Sequence, residues 1–219
     1  MTSLEVLILT AFALLIIFVA LPYVVGMLYS SLAPLEYRTA AGYILAFADG
    51  LEADFGMAGS RKYFSLPRFI YGSFGPVNRS YVVQLLGCGA PRTLRWSSVE
   101  LWYNSTYFIG EQRLLRGFST GLTAAPSDTL VAVEAVGNGV RAYPRIFVVA
   151  GAGEAYVYVV NATVRVAGTG YLTYEIGAVD RLVFSNCHDA RLIVGGSPVS
   201  LVERGDVYIV IQRVDVVLR

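Results

Sequence analysis

From Val6 to Leu35 the chain has no Asp, Glu, Lys or Arg, thirty residues in a row, and the single charge ahead of them is Glu5. At ~1.5 Å per residue a helix of that length measures roughly 45 Å, more than the ~30 Å of a bilayer's hydrocarbon core. The run is therefore expected to enter a membrane, at least transiently. A cleaved secretory signal is a poor fit: Met1-Thr2-Ser3-Leu4-Glu5 carries no basic residue, and the small residues Ser30-Ser31-Leu32-Ala33 come too late for a cleavage site.

Histidine is nearly absent. The single one, His188, stands beside Cys187, without the further ligands a closed zinc site requires, and adjacent residues on a strand point to opposite faces. The sequence has no phosphate loop, no nucleophile elbow and no HExxH. Gly87-Cys88-Gly89 lacks the third glycine and following helix of a dinucleotide fingerprint, and reads as a turn. Asp and Glu are dispersed. No enzyme activity, no metal and no cofactor is expected. Lys62 is the one lysine among 17 basic residues, which are scattered singly around a net charge of +1. No polyanion-binding stripe results, so nucleic acid is not expected as a partner.

Cysteine is sparse as well. Cys88 and Cys187 are the only two. In an exported domain such a pair is expected to close a loop of about 100 residues, worth ~4 to 5 kcal/mol on the chain-entropy view; the alternative is two buried free thiols.

The 219 residues leave room for one span and one globular domain of about 165 residues. Residues 1–55 read as an N-terminal hydrophobic and then amphipathic helix, with a flaw at Pro22 and a second at Pro34. Beyond the apolar run, Leu35, Ala41, Ile44, Leu45, Ala48, Leu51 and Phe55 recur at helical spacing, so the helix is expected to continue as the spine of the globular part. Gly56 and Gly59-Ser60 stop it. Residues 60–219 show short β-like runs separated by turn residues. These are Tyr81–Leu86, Val99–Tyr103, Thr129–Val136, Arg145–Ala150, Ala155–Val166, Tyr171–Ile176, Arg181–Phe184, Arg191–Val194 and Val207–Leu218. Gly205-Asp206 is expected to launch the last of them, a central strand covered on both faces. The fold class is α+β: a long N-terminal hydrophobic helix followed by an all-β, sandwich-like globular domain.

Three glycosylation acceptors, Asn78-Arg79-Ser80, Asn104-Ser105-Thr106 and Asn161-Ala162-Thr163, suit an extracellular domain and are expected at exposed turns or strand edges. Tyr63, Phe64, Phe69, Tyr71 and Phe74 form one aromatic group, and Tyr103, Tyr107 and Phe108 another. Each reads as core and edge packing or as an adhesive surface. Glu5 has two readings of equal weight, an intramembrane carboxylate with a functional partner or an interfacial residue in the first helical turn, where the helix dipole favours it.

Met1-Thr2-Ser3-Leu4-Glu5-Val6-Leu7-Ile8-Leu9, continuing to Ala20-Leu21-Pro22-Tyr23, resembles the mature N-terminus of type IV pilins and pilin-like proteins. The β-rich remainder is similar to archaeal pilins and archaellins more than to the bacterial α/β head. The resemblance implies a glycoprotein subunit of an extracellular filament, membrane-inserted before assembly, which forms a helical homopolymer through its N-terminal helices. It also implies a prepilin peptidase and a pilus assembly machinery as partners. Glu5 would pair with the N-terminal amine of a neighbour's Met1, and the helix would loosen at Pro22 during assembly. The absence of Lys or Arg before Arg38 fits a removed basic leader. The head would serve adhesion or surface contact. The alternative is a single-span anchored protein, such as an archaellum stator-like factor or surface receptor, whose β domain binds a partner outside the cell.

Overall fold

A computed structural model describes residues 3–219. Among the described residues the chain forms one α-helix, α1 (Ser3–Ala53), and eleven strands: β1 (Arg61–Ser65), β2 (Gly72–Leu86), β3 (Arg92–Ser105), β4 (Arg113–Arg116), β5 (Thr123–Ala124), β6 (Val131–Val136), β7 (Gly139–Pro144), β8 (Ile146–Ala150), β9 (Glu154–Val166), β10 (Tyr171–Val194) and β11 (Ser197–Leu218). The expected α+β architecture is what the chain adopts.

The 51 residues of α1 span roughly 77 Å at ~1.5 Å per residue. The helix runs through both Pro22 and Pro34; each proline removes one backbone bond, so Pro22 leaves the Phe18 carbonyl without its helical donor. Side chains in α1 divide into two halves. From Glu5 to Leu32 nearly all are exposed, whereas Ala33, Ala40, Ile44, Phe47, Ala48 and Leu51 are fully buried. That buried spacing marks one helical stripe laid on the sheet. The stripe differs from the expected one at Leu35, which is 58% exposed. Two residues beyond Ala33 the chain has turned through about 200°, so an apolar residue there faces away from the sheet. The helix ends as anticipated near Gly56, whose φ of 84° is a left-handed value that suits glycine.

The strands form one continuous hydrogen-bonded path, β4-β6-β7-β3-β2-β10-β11-β9-β8-β5, with β1 added to β10. Pairing is antiparallel except for β9 with β11 and β5 with β8. The path folds back on itself: β3 meets β9 where Ser97 N donates to Asn161 Oδ1 at 3.2 Å. Two apolar cores result. One lies between α1 and the sheet and gathers Ile44, Phe47 and Leu51 with Leu101, Val133, Val160, Tyr174 and Val216. The other lies farther along the sheet and on the opposite face of β9 and β11, and gathers Val83, Trp96, Val157, Leu192 and Ile209.

β10 and β11 are much longer than the runs that suggested them. The runs at Tyr171, Arg181 and Arg191 belong to one strand, interrupted by register shifts at Ile176/Val179, Phe184/Cys187 and Ala190/Arg191. Each bulge breaks the period-two alternation. Gly195 and Gly196, both at positive φ, turn β10 into β11. The last strand thus begins at Ser197, not at Gly205. Gly205 sits inside it at φ 150°, where a Cβ would come within 1.9 Å of the Gly153 carbonyl oxygen. Glycine is therefore the residue that lets β11 pass this close to the β8–β9 turn. β11 is central, between β10 and β9, but its Val207–Ile211 stretch is covered on one face: Val207 and Ile209 are buried, Tyr208 and Val210 half-exposed.

Candidate functional site

The unusual surface of this molecule is the projecting half of α1. It is long and apolar enough to cross a membrane, and it exposes Phe12, Ile16, Phe18, Val19, Tyr23 and their neighbours. Its Thr10, Ser30 and Ser31 hydroxyls turn inward on the helix: Thr10 Oγ1 donates to the carbonyls of Val6 and Leu7 at 3.0 and 2.9 Å, Ser30 Oγ to Met27 at 2.9 Å and Ser31 Oγ to Leu28 at 2.8 Å. Such hydroxyls do not require water, so the surface suits either lipid or other apolar helices. Glu5 lies in the first helical turn. Met1 lies outside the described residues.

The upper half of α1 is fastened to the β-rich head by polar contacts at several levels. Glu36 accepts from Ile70 N at 2.6 Å, Tyr71 N at 2.9 Å and the Tyr103 hydroxyl at 2.8 Å. Burial, with the Glu36 carboxylate beside it, pushes the Tyr103 hydroxyl well above its ordinary pKa. Arg116 Nε donates to Asp49 at 2.7 Å, and its Nη1 to Glu52 at 2.8 Å and the Val131 carbonyl at 2.6 Å. At the end of the helix Asp54 accepts from the Tyr174 hydroxyl at 2.7 Å and pairs with Lys62 at 3.2 Å. Burial opposes ionisation of Asp54, but donation from Tyr174, Ser60 and Lys62 outweighs it and lowers its pKa. Gln212, fully buried, accepts from Gly56 N at 2.9 Å and donates to the carbonyls of Gly177 and Arg213 at 2.9 and 3.1 Å. These ties hold the projecting half in a fixed direction relative to the head.

The sequence marked Tyr71 and Tyr103 only as members of aromatic groups and Lys62 only as the lone lysine, and pointed to none of the tying residues as a fastening for the helix. Glu36 is visible there only as the first charge after the apolar run, and its three donors lie 34 to 67 positions away.

Cys88 and Cys187 form a disulfide across 99 residues. Asn78 and Asn104 are exposed, whereas Asn161 is half-buried with its Oδ1 engaged by Ser97 N. All three stand within strands β2, β3 and β9 rather than at turns. The aromatic groups divide by role. Phe69, Phe74 and Tyr103 pack together with centroids 5.1 and 5.4 Å apart, and Phe64 meets Phe47 and Tyr174. Tyr63 is exposed beneath the Arg61 guanidinium. Phe108 covers Tyr37, and Tyr71 and Tyr107 contact Tyr29 of α1.

Past the end of α1 the sheet face that the helix covers lower down continues uncovered. Tyr156 and Tyr208 stack at 4.8 Å, Tyr158 stacks on Tyr156 at 6.3 Å, and Arg181 caps Tyr208 at 4.5 Å. Nearby, Arg145 is wholly buried and bonds Asp128 through both Nη atoms, at 2.8 and 2.6 Å, with Ser119 and Thr129 as further acceptors. That bidentate donation holds the Asp128 carboxyl far below the usual range, against the opposing effect of burial. The pair ties together the loops around β5. Among the described residues no group of three or more His, Cys, Asp and Glu is placed to hold a metal.

Comparison with protein-family models, curated proteins and solved structures returns no match. The geometry of the helix and head is what carries a functional reading.

Proposed function

We propose that the chain is a structural subunit of an extracellular, type IV pilus-like filament of archaeal character, assembled through α1, with the β-rich head facing outward for adhesion or surface contact. The observation that carries this reading is the division of α1: its Ala33–Leu51 half is built into the head's core, while its Glu5–Leu32 half projects as an apolar rod. A rod fixed to a folded head can leave a bilayer and enter a bundle of like rods, since neighbouring helices replace lipid around the same surface. In the bundle the Glu5 carboxylate is proposed to meet a cationic group of a neighbouring chain. Pro22 supplies the point at which the rod loosens. Before assembly the chain resides in the membrane, where a prepilin peptidase and an assembly machinery act on it. Glycans on Asn78 and Asn104 belong to the same extracellular reading. No catalysis is proposed.

A single-span anchor that holds the same head outside the cell is the second reading. It needs no more than the one helix that is long and apolar enough to cross a bilayer. Glu5→Gln tests the role of Glu5 in the first reading, because it preserves shape and removes charge, whereas a single-span anchor forms no filament with either residue. The filament reading expects normal membrane insertion with reduced filament yield. Wild-type filament yield would remove Glu5 from the assembly mechanism.

A further inference from the structure

The lower rim of the head contains an aromatic group that its own core does not require. Tyr29, on the projecting half of α1, packs against Tyr71 at 5.4 Å and Tyr107 at 5.2 Å, and these two lie 6.4 Å from one another. The rings come from three separate segments, the helix and the loops on either side of it. Beside them two aliphatic side chains point away from the protein: Ile70 is 67% exposed and Ile109 is 82% exposed. Both loops are held firmly while they present these residues. The first is fixed by the Glu36 carboxylate on Ile70 N and Tyr71 N. The second is fixed by Ser105 Oγ, which accepts from Phe108 N at 3.2 Å, and by Phe108 against Tyr37 at 4.8 Å. Neither is an apolar tip left loose by chance.

The height of this group along the helix identifies what it meets. With Glu5 in one headgroup layer, ~30 Å of hydrocarbon extends at ~1.5 Å per residue to about residue 25, and the opposite interfacial layer, a further ~5 to 8 Å, covers about residues 26 to 31. Tyr29 falls within that layer. Tyrosine favours it, because the ring is apolar and the hydroxyl wet. Ile70 adjoins Tyr71 and Ile109 lies two residues beyond Tyr107, so both loops present apolar side chains next to the rings that meet Tyr29, and the exposed Arg68 precedes Ile70 in the first loop.

We propose that this rim, made of Tyr29, Tyr71, Tyr107, Ile70 and Ile109, is a membrane-docking surface that seats the head directly on the bilayer its helix crosses. The occupant is the lipid interface, argued from continuity with the apolar rod and from the length of that rod. Seating limits the tilt of the joined helix and head against the bilayer and holds the Cys88–Cys187 end and the uncovered tyrosine face away from the membrane. The inference rests on insertion of α1 in a bilayer, which both functional readings share, and not on polymerisation.

Phe118 supplies an internal control. It is also 82% exposed, but it stands next to Gly117 and Arg116, whose guanidinium binds Asp49 and Glu52. Asp49 is 20 residues, or about 30 Å, farther along the helix than Tyr29. The full chain is reconstituted in phosphatidylcholine vesicles with a nitroxide on a single introduced cysteine, as Ile70→Cys, Ile109→Cys or Phe118→Cys; the two native cysteines are bonded and do not take the label. Collision with a water-soluble nickel chelate is then measured against collision with oxygen. Docking expects nickel accessibility at 70 and 109 severalfold below that at 118, with oxygen accessibility raised. In the same chain solubilised in lipid-free polymer or recovered in filaments, the interfacial signature at 70 and 109 disappears. Nickel collision at 70 and 109 equal to that at 118 in the vesicles would overturn the proposal, as would failure of the intact chain to float with them. Absence of filaments in cells would count against the proposed function and leave this measurement unaffected.

Discussion

Removing residues 1–32 is expected to leave a soluble, folded, monomeric head, whereas removing residues 1–55 is expected to abolish folding. The two truncations bracket the point where α1 passes from rod to core. Up to Leu32 the side chains bury almost nothing, and Ala33 is the first fully buried one. A chain that starts at Ala33 places Pro34 at the beginning of its helix, where a missing N–H costs no bond. Between Ala33 and Phe55 the helix supplies Ile44, Phe47 and Leu51, each fully buried. At ~1.5–3 kcal/mol for each such side chain, these three contribute roughly 5–9 kcal/mol, against a typical domain stability of ~5–15 kcal/mol. Loss of the whole segment also uncovers Leu101, Val133, Tyr174 and Val216 beneath it, and leaves Arg116 without Asp49 and Glu52. Size-exclusion chromatography, near-ultraviolet circular dichroism and a denaturant titration read the outcome. A chain from Ala33 should elute as a monomer and unfold in one cooperative transition, and a chain from Gly56 should aggregate or lack fixed aromatic signals. A chain from Gly56 as stable as the one from Ala33 would refute the assignment of α1 to the core. Aggregation of the Ala33 chain would refute its independence from the rod.

The remaining predictions concern the head's buried charges. Asp128→Asn leaves the Arg145 guanidinium buried beside a neutral amide and is expected to cost about 3–5 kcal/mol, read as a lowered denaturant midpoint in the chain from Ala33; an unchanged midpoint would show that the pair does not hold the fold. The depressed carboxyls of Asp54 and Asp128 stabilise the fold fully above the unfolded aspartate value of ~3.9, and that contribution is lost as pH falls through their lower folded values. The midpoint should thus be level from neutrality to about pH 5 and decline steeply below about pH 4, and the decline should be shallower in Asp128→Asn. Equal midpoints at neutral pH and at about pH 3 would contradict this.

How much of this was legible beforehand followed from how local each signal is. A charge-free run of thirty residues is a local pattern, and so is the helical spacing of Ile44, Ala48 and Leu51; both announced α1 and its continuation into the head. Leu35 misled because an apolar residue at the junction belongs to the rod's surface rather than to the buried stripe. β9 and the later part of β11 were readable from alternation. β10 was split into three because its bulges at Ile176, Phe184 and Ala190 reset the alternation. The strands β1, β4, β5 and β7 have two to six residues each and draw their identity from partners elsewhere in the chain. The clamps lay beyond sequence reasoning for the same reason: Gln212 reaches Gly56 across 156 positions, and no periodicity encodes such a pair. The docking rim had a partial signal, a tyrosine near the end of an apolar run, but Tyr71 and Tyr107 joined it only through the fold.

The central claim is that the projecting half of α1 packs into a filament. Mechanical shearing of intact cells without detergent tests it most directly, followed by protease treatment and peptide mapping of the shed material. The filament account predicts intact chains in polymers, with the apolar segment from Glu5 to Ser30 protected and head loops such as Gly117–Ser119 cleaved. Recovery of the intact chain only in membrane fractions, as a detergent-soluble monomer or small oligomer, while other surface filaments of the same cells are shed, would contradict it and leave the anchored head in its place.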